Sequence, residues 1–226
     1  MKRRLFVSLI VVATFCSAAK DAGTDEGSLM GLFKRTVSLY AQQEALKACG
    51  VTVNAGVTES DLVAFESKAD MEKKPYAGLV EVLGIELERE PYTPISNSLW
   101  MCDYERVEDH GAYKEIIERL ELMTGSALKL SNIEDYVDVE EGKAWVEFDF
   151  NGERFHWDAQ VDNDWMDPYI IVKYNQLLKS SSSDYRIYSN HSDYGQVAFF
   201  AAFTVEQYKC FRKLSKIKLE LIETQA

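Results

Sequence analysis

The sequence predicts an α+β protein: N-terminal helices, then a largely antiparallel sheet with helices packed on one face. Three observations carry that expectation. From Leu29 to Leu83 apolar residues recur at spacings of three and four, the period of a helix with one buried stripe. Later stretches alternate apolar with polar residues, the period of a half-buried strand. Between two such runs stands Asn151-Gly152, which suits a two-residue hairpin turn because both central positions need positive φ. Helices followed by paired strands point to α+β rather than to a parallel α/β fold.

Taken in order, the chain opens with MKRRLFVSLIVVATFCSAAK. Lys2, Arg3 and Arg4 precede an apolar run from Leu5 to Phe15 and a small-residue stretch ending at Ala19, the three-part pattern of a secretory signal peptide. That run falls well short of the roughly 20 residues a spanning helix needs, so residues 1–19 are expected to be removed on export to a periplasmic or secreted location. Phe15 stands where a lipid-modified cysteine expects a small residue, which disfavours lipidation of Cys16. Residues 20–28 are polar and contain glycine, as a linker does.

A helical subregion is expected over 29–94. Leu29, Leu32, Phe33, Val37, Tyr40 and Ala41 form its first stripe. Thr58 and Asp61 form a capping box for a second helix with Leu62, Phe65 and Ala69 on one face. Pro75 suits the first turn of a third, which runs to Gly84. The two prolines of EREPYTPIS then break regular structure, and an α+β region is expected over 95–226. Leu99 to Tyr104 is strand-like. Asp109 or His110 opens a helix burying Ile116, Ile117, Leu120 and Met123, with Glu115, Glu118, Arg119 and Glu121 on a solvated face.

The hairpin comes next, with a register the pattern imposes. Phe148 faces Phe155, Val146 faces Trp157 and Ala144 faces Ala159 on the apolar side. Asp149 faces Arg154, Glu147 faces His156 and Trp145 faces Asp158 on the other; a slip by one residue mixes the two sets. Strands are also expected at 184–189 and 196–203, a helix capped by Thr204 and Gln207, and a last strand through Ile217, Leu219 and Leu221.

HWDAQVDNDWMDPY, residues 156–169, packs four aspartates into fourteen positions. Asp167-Pro168 reads as a helix start, since aspartate accepts from first-turn amides and proline there loses no hydrogen bond. Met166 is placed to pack on Ile171 as a hydrophobic staple. Asp162 and Asp164 have the alternation of a calcium loop, but the central Gly is missing and Lys173 occupies the closing Glu position. A polar turn fits better than a metal site. No GxSxG, HExxH, GxGxxG or P-loop pattern occurs, and no cofactor is expected.

The full chain carries a formal charge of −12. Loss of residues 1–19 removes three basic and no acidic residues, leaving −15. Such a field disfavours nucleic acid and anionic membrane surfaces and favours a basic partner. Aromatics lie among carboxylates near 156–169 and 184–195, so the expectation is a non-enzymatic, inhibitor- or immunity-like protein. Its partner would be bound by Asp162, Asp164, Trp165, His191, Asp193 and Tyr194. The alternative is an exported hydrolase using His156 or His191 with nearby aspartates, with or without a metal. Asn190-His191-Ser192 also fits a glycosylation sequon if the source is eukaryotic. After processing Cys49, Cys102 and Cys210 remain, which allows one disulfide with a leftover thiol or three buried thiols.

Overall fold

The computed structural model describes residues 36–190 and 196–223. The signal and linker expectations, Leu29, Leu32, Phe33, and His191, Asp193 and Tyr194 lie outside those residues. In chain order the elements are α1 (Leu39–Lys47), α2 (Glu59–Leu62), α3 (Lys68–Lys73), α4 (Ala77–Leu83), β1 (Glu86–Leu87), β2 (Thr93–Pro94), β3 (Leu99–Asp103) and α5 (Ala112–Met123). Then follow β4 (Ser131–Asp138), β5 (Lys143–Phe150), β6 (Glu153–Ala159), α6 (Tyr169–Ser180), β7 (Arg186–Asn190), β8 (Val197–Phe203), α7 (Val205–Ser215) and β9 (Glu220–Leu221). Every strand pair is antiparallel, in sheets ordered β1-β2, β3-β8-β7-β9 and β4-β5-β6. The fold is α+β.

VAFFAAF explains the centre of the molecule. Ala198, Phe200 and Ala202 enter one core while Phe199, Ala201 and Phe203 enter another, because successive side chains of a strand point to opposite faces. Trp100 and Cys102 of β3 join the first core, and Leu99 and Met101 the second. The first core is completed by Ile116, Ile117 and Leu120 of α5, Ile170, Tyr174 and Leu178 of α6, and Val146 and Phe148 of β5. Leu39, Leu46, Met71, Leu79 and Phe211 complete the second. The helices at 39–83 thus share a core with β3, β8 and α7, and apolar layers cover both faces of the four-stranded sheet. A disulfide joins Cys49 to Cys210, and Cys102 is a buried free thiol.

Several local details differ from the sequence reading. In α1 the buried stripe is Leu39, Gln42 and Leu46, while Tyr40 is exposed. The phase shifts because Gln42 is satisfied inside: its Nε2 donates to the carbonyls of Val37 and Met71, and its Oε1 accepts from Tyr76 N–H. The capping box at Thr58 and Asp61 is present. The helix it opens stops at Leu62 and a new one starts behind Ser67, so Phe65 and Ala69 are exposed. Neither Asp109 nor His110 caps α5 with its side chain. Asp135 of β4 accepts from the N–H groups of Gly111, Tyr113 and Lys114 instead.

Arg119 and Glu121 are buried rather than solvated. Arg119 pairs with Glu86 at 3.0 Å and donates to the carbonyls of Ser96 and Leu99. Glu121 accepts from Tyr174 Oη at 2.6 Å and from Leu130 N–H. Such partners offset the desolvation that would otherwise exclude both charges.

Candidate functional site

Two neighbourhoods carry the candidate chemistry. The first is the loop between β6 and α6. Trp165 N–H donates to Asp162 O at 3.0 Å with Asn163 in the left-handed region (φ 51°), so Asp162 to Trp165 is a tight turn of the type asparagine tolerates. The turn is tied to the chain after β3, since Met166 N–H donates to Tyr104 O and Val107 N–H to Asp164 O, both at 2.8 Å. Behind it Asp167 starts α6 as its position implies, accepting from Tyr169 N–H at 2.9 Å and from Gln160 N–H at 2.8 Å. Met166 and Ile171 are buried in one core cluster, as a staple would be.

The loop walls a cavity of about 220 Å³ lined by Tyr104, Gln160, Asp162, Trp165, Met166, Asp167 and Pro168. Trp165 is 37% exposed, and its ring lies near-parallel to that of Tyr104, with centroids 6.3 Å apart and planes 20° apart. Asp167 is only 8% exposed. Asp162 and Trp165 therefore meet at one cavity, whereas Asp164 enters the fold through its backbone carbonyl and does not line it.

The second neighbourhood is the outer face of the β4-β5-β6 sheet. The β5-β6 register is the one the alternation demands, including Glu147 opposite His156 and Trp145 opposite Asp158. Asn151 and Gly152 both take positive φ at the turn (51° and 83°). β4 adds Tyr136 opposite Trp145 and Glu134 opposite Glu147. The rings form a row: His110 to Tyr136 at 4.8 Å, Tyr136 to Trp145 at 6.0 Å and Trp145 to His156 at 5.4 Å. Glu134, Asp138, Glu147, Asp149 and Asp158 frame it; Arg154 ties Glu134, Glu147 and Asp149 together at 3.0 to 3.2 Å, and Lys143 lies over the Tyr136 ring.

His156 belongs to this network. Its Nδ1 lies 2.7 Å from Glu147 and its Nε2 3.1 Å from Asp158. Hydrogen bonds from Glu147 first and Asp158 second hold the imidazole above its ordinary pKa, since a bonded opposite charge favours the charged form. Glu147 is correspondingly held below the usual carboxylate range by His156 and Arg154. With both nitrogens facing carboxylates, the ring is placed as a charge partner rather than as a general base, which needs a free lone pair toward its substrate. Among the described residues no cluster of three or more His, Cys, Asp or Glu is set to hold a metal ion. The thiol of Cys102 is pushed up to about 12 by burial, which makes it a poor nucleophile.

Tyr136, Glu134 and Lys143 were not among the sequence-derived candidates. The signal that would have found them is the alternation in SNIEDYVD, with Ile133 and Val137 against the core. Asp135 interrupts it at an inward position because that carboxylate caps α5. Among the described residues no helix is long and apolar enough to cross a membrane. Compared with known proteins, the chain matches no family model, no curated protein and no solved structure.

Proposed function

We propose that this chain is an exported, non-enzymatic acidic protein that binds a basic protein partner, in the manner of an inhibitor or immunity protein, through the outer face of its three-stranded sheet. The observation that carries the reading is the row Tyr136, Trp145 and His156 on a solvent-facing sheet framed by five carboxylates, Glu134, Asp138, Glu147, Asp149 and Asp158. Aromatic anchors ringed by like charge supply affinity at the centre of an interface and steering at its rim. The rings stand against one another, so their faces are largely occupied by neighbours and their polar edges are what the surface offers. That favours a protein partner with its own cations over a flat sugar ring, which needs a free aromatic face. Export is supported by the tripartite leader and by the disulfide, a bond that persists in oxidising compartments.

The test is capture of a partner from the exported fraction of the native cells, using the wild-type chain, Trp145→Ala and Glu134→Ala. A basic protein retained at low salt, released as salt rises and recovered at least tenfold less by Trp145→Ala is the expected result. Nothing above background, or equal capture by the face variants, would sink the proposal.

A further inference from the structure

We infer that the cavity beside Trp165 is an anchor site for an arginine side chain of the basic partner. The inference rests on the partner-binding reading and adds where one residue of that partner is held. At about 220 Å³ the cavity lies below the roughly 300–1,000 Å³ of small-molecule sites, which suits a single side chain. Its walls combine the aromatic Trp165 and Tyr104, Met166 and Pro168 with Gln160 and the acidic Asp162 and Asp167, and among the described residues none that lines it is basic.

The two carboxylates differ in a useful way. Asp162 is exposed at the rim and is free to meet an incoming cation. Asp167 is buried, and each of its oxygens accepts one backbone N–H, from Gln160 and Tyr169. A carboxylate oxygen has about two acceptor sites, so each keeps capacity for a further donor. Among the described residues no cation pairs with either carboxylate. The turn is braced by three backbone hydrogen bonds, Trp165 to Asp162, Met166 to Tyr104 and Val107 to Asp164, so the site is preformed and little ordering accompanies binding.

Arginine fits this set better than lysine. Its guanidinium is planar and weakly hydrated, stacks on an aromatic face, and presents five N–H donors in a fixed fork. Trp165 offers the exposed indole surface, with Tyr104 fixing its plane from beneath; Asp162, Asp167 and the Gln160 amide oxygen are the acceptors. Lysine's ammonium is a compact, strongly hydrated point charge and uses the indole less well.

The experiment follows the four tryptophan indole N–H resonances, with Trp165 assigned by Trp165→Phe. The probes are N-acetyl-arginine amide, N-acetyl-lysine amide and the neutral isostere N-acetyl-citrulline amide, at matched ionic strength. A single anchored side chain is expected to bind with a Kd of about 1–10 mM. The expected result is a saturable shift of Trp165 with the arginine probe, at least threefold weaker binding of the lysine probe, no saturation with citrulline, and at least threefold loss in Asp162→Asn. Equal responses to citrulline and arginine, equal shifts at all four indoles, or insensitivity to Asp162→Asn overturn it. In the capture assay, an arginine probe that releases the bound partner while citrulline does not supports the site. Full retention by Trp165→Phe and Asp162→Asn of a partner that Trp145→Ala loses overturns the arginine site and leaves the proposed function standing. Probe binding at Trp165 with no partner captured has the opposite meaning.

Discussion

Replacing Cys49 and Cys210 together by alanine tests how this fold is held closed. The bridge spans 161 positions, tying the end of α1 to α7 and thus nearly the whole described chain. In the chain-entropy account, a loop of that length restricts the unfolded ensemble by about 5 kcal/mol at 25 °C. For a domain of this size that corresponds to a fall in Tm of about 10–20 °C. Strain-free packing is expected in the variant, because Cys49 is 2% exposed within an apolar cluster that accepts a methyl group. Thermal melts of the chain beginning at Lys20, with and without reductant, measure the effect; reductant should move the wild type toward the variant and leave the variant unchanged. Thiol counting supplies an independent check. Cys102 is fully buried with its thiol pushed up to about 12, so the folded protein should expose no reactive thiol and the denatured, unreduced protein only that of Cys102. Three reactive thiols after denaturation, a mapped Cys49–Cys102 bridge, or a double variant melting within about 3 °C of wild type would refute the reasoning.

Three further outcomes follow from single side chains. Asp135→Ala removes the acceptor for three N–H groups at the start of α5 and should cost about 2 kcal/mol in urea melts with an unchanged m-value; Asp135→Asn should cost less. Glu81 is raised to about 7, by burial first and the charge of Glu66 second. A raised carboxyl favours the fold most below the unfolded value near 4.5, and that favour is lost as pH climbs through 7. Glu81→Gln should therefore raise Tm at pH 8 and leave it unchanged at pH 4, the gain being about 1–2 kcal/mol after solvent screening. His156 is raised above 6.5 by Glu147 and Asp158, so its contribution is fully present below that value and lost as pH rises through the folded pKa. Its ring resonances should titrate with a midpoint above 6.5, and Glu147→Gln should lower the midpoint; a midpoint at or below 6.5 contradicts the bonded geometry.

What was legible in the sequence shares one property: the cause is local. Asn151-Gly152 and the two alternating runs set the β5-β6 register, since side-chain period and turn geometry admit one pairing. Thr204 with Gln207 caps α7 as expected, and Asp167 starts α6. The doubly buried β8 was readable from seven apolar residues in a row. Asp162 and Asp164 stood out as carboxylates the local turn did not absorb, and of the two only Asp162 lines the cavity.

The remainder depended on partners distant in the chain. Asp135 hid β4 because its inward carboxylate serves α5, and Arg119 and Glu121 looked solvated because Glu86 and Tyr174 are far from them in sequence. Gln42 displaced the expected stripe of α1 by bonding to Met71 and Tyr76. The choice of Cys210 over Cys102 for Cys49 and the seating of Trp165 on Tyr104 are of the same kind. By itself the sequence determined the class, the hairpin and the acidic charge. Tertiary structure decided which buried polar groups are satisfied and where carboxylates and rings converge, because a buried charge is stable only beside its partner, and the fold alone brings that partner within bonding distance.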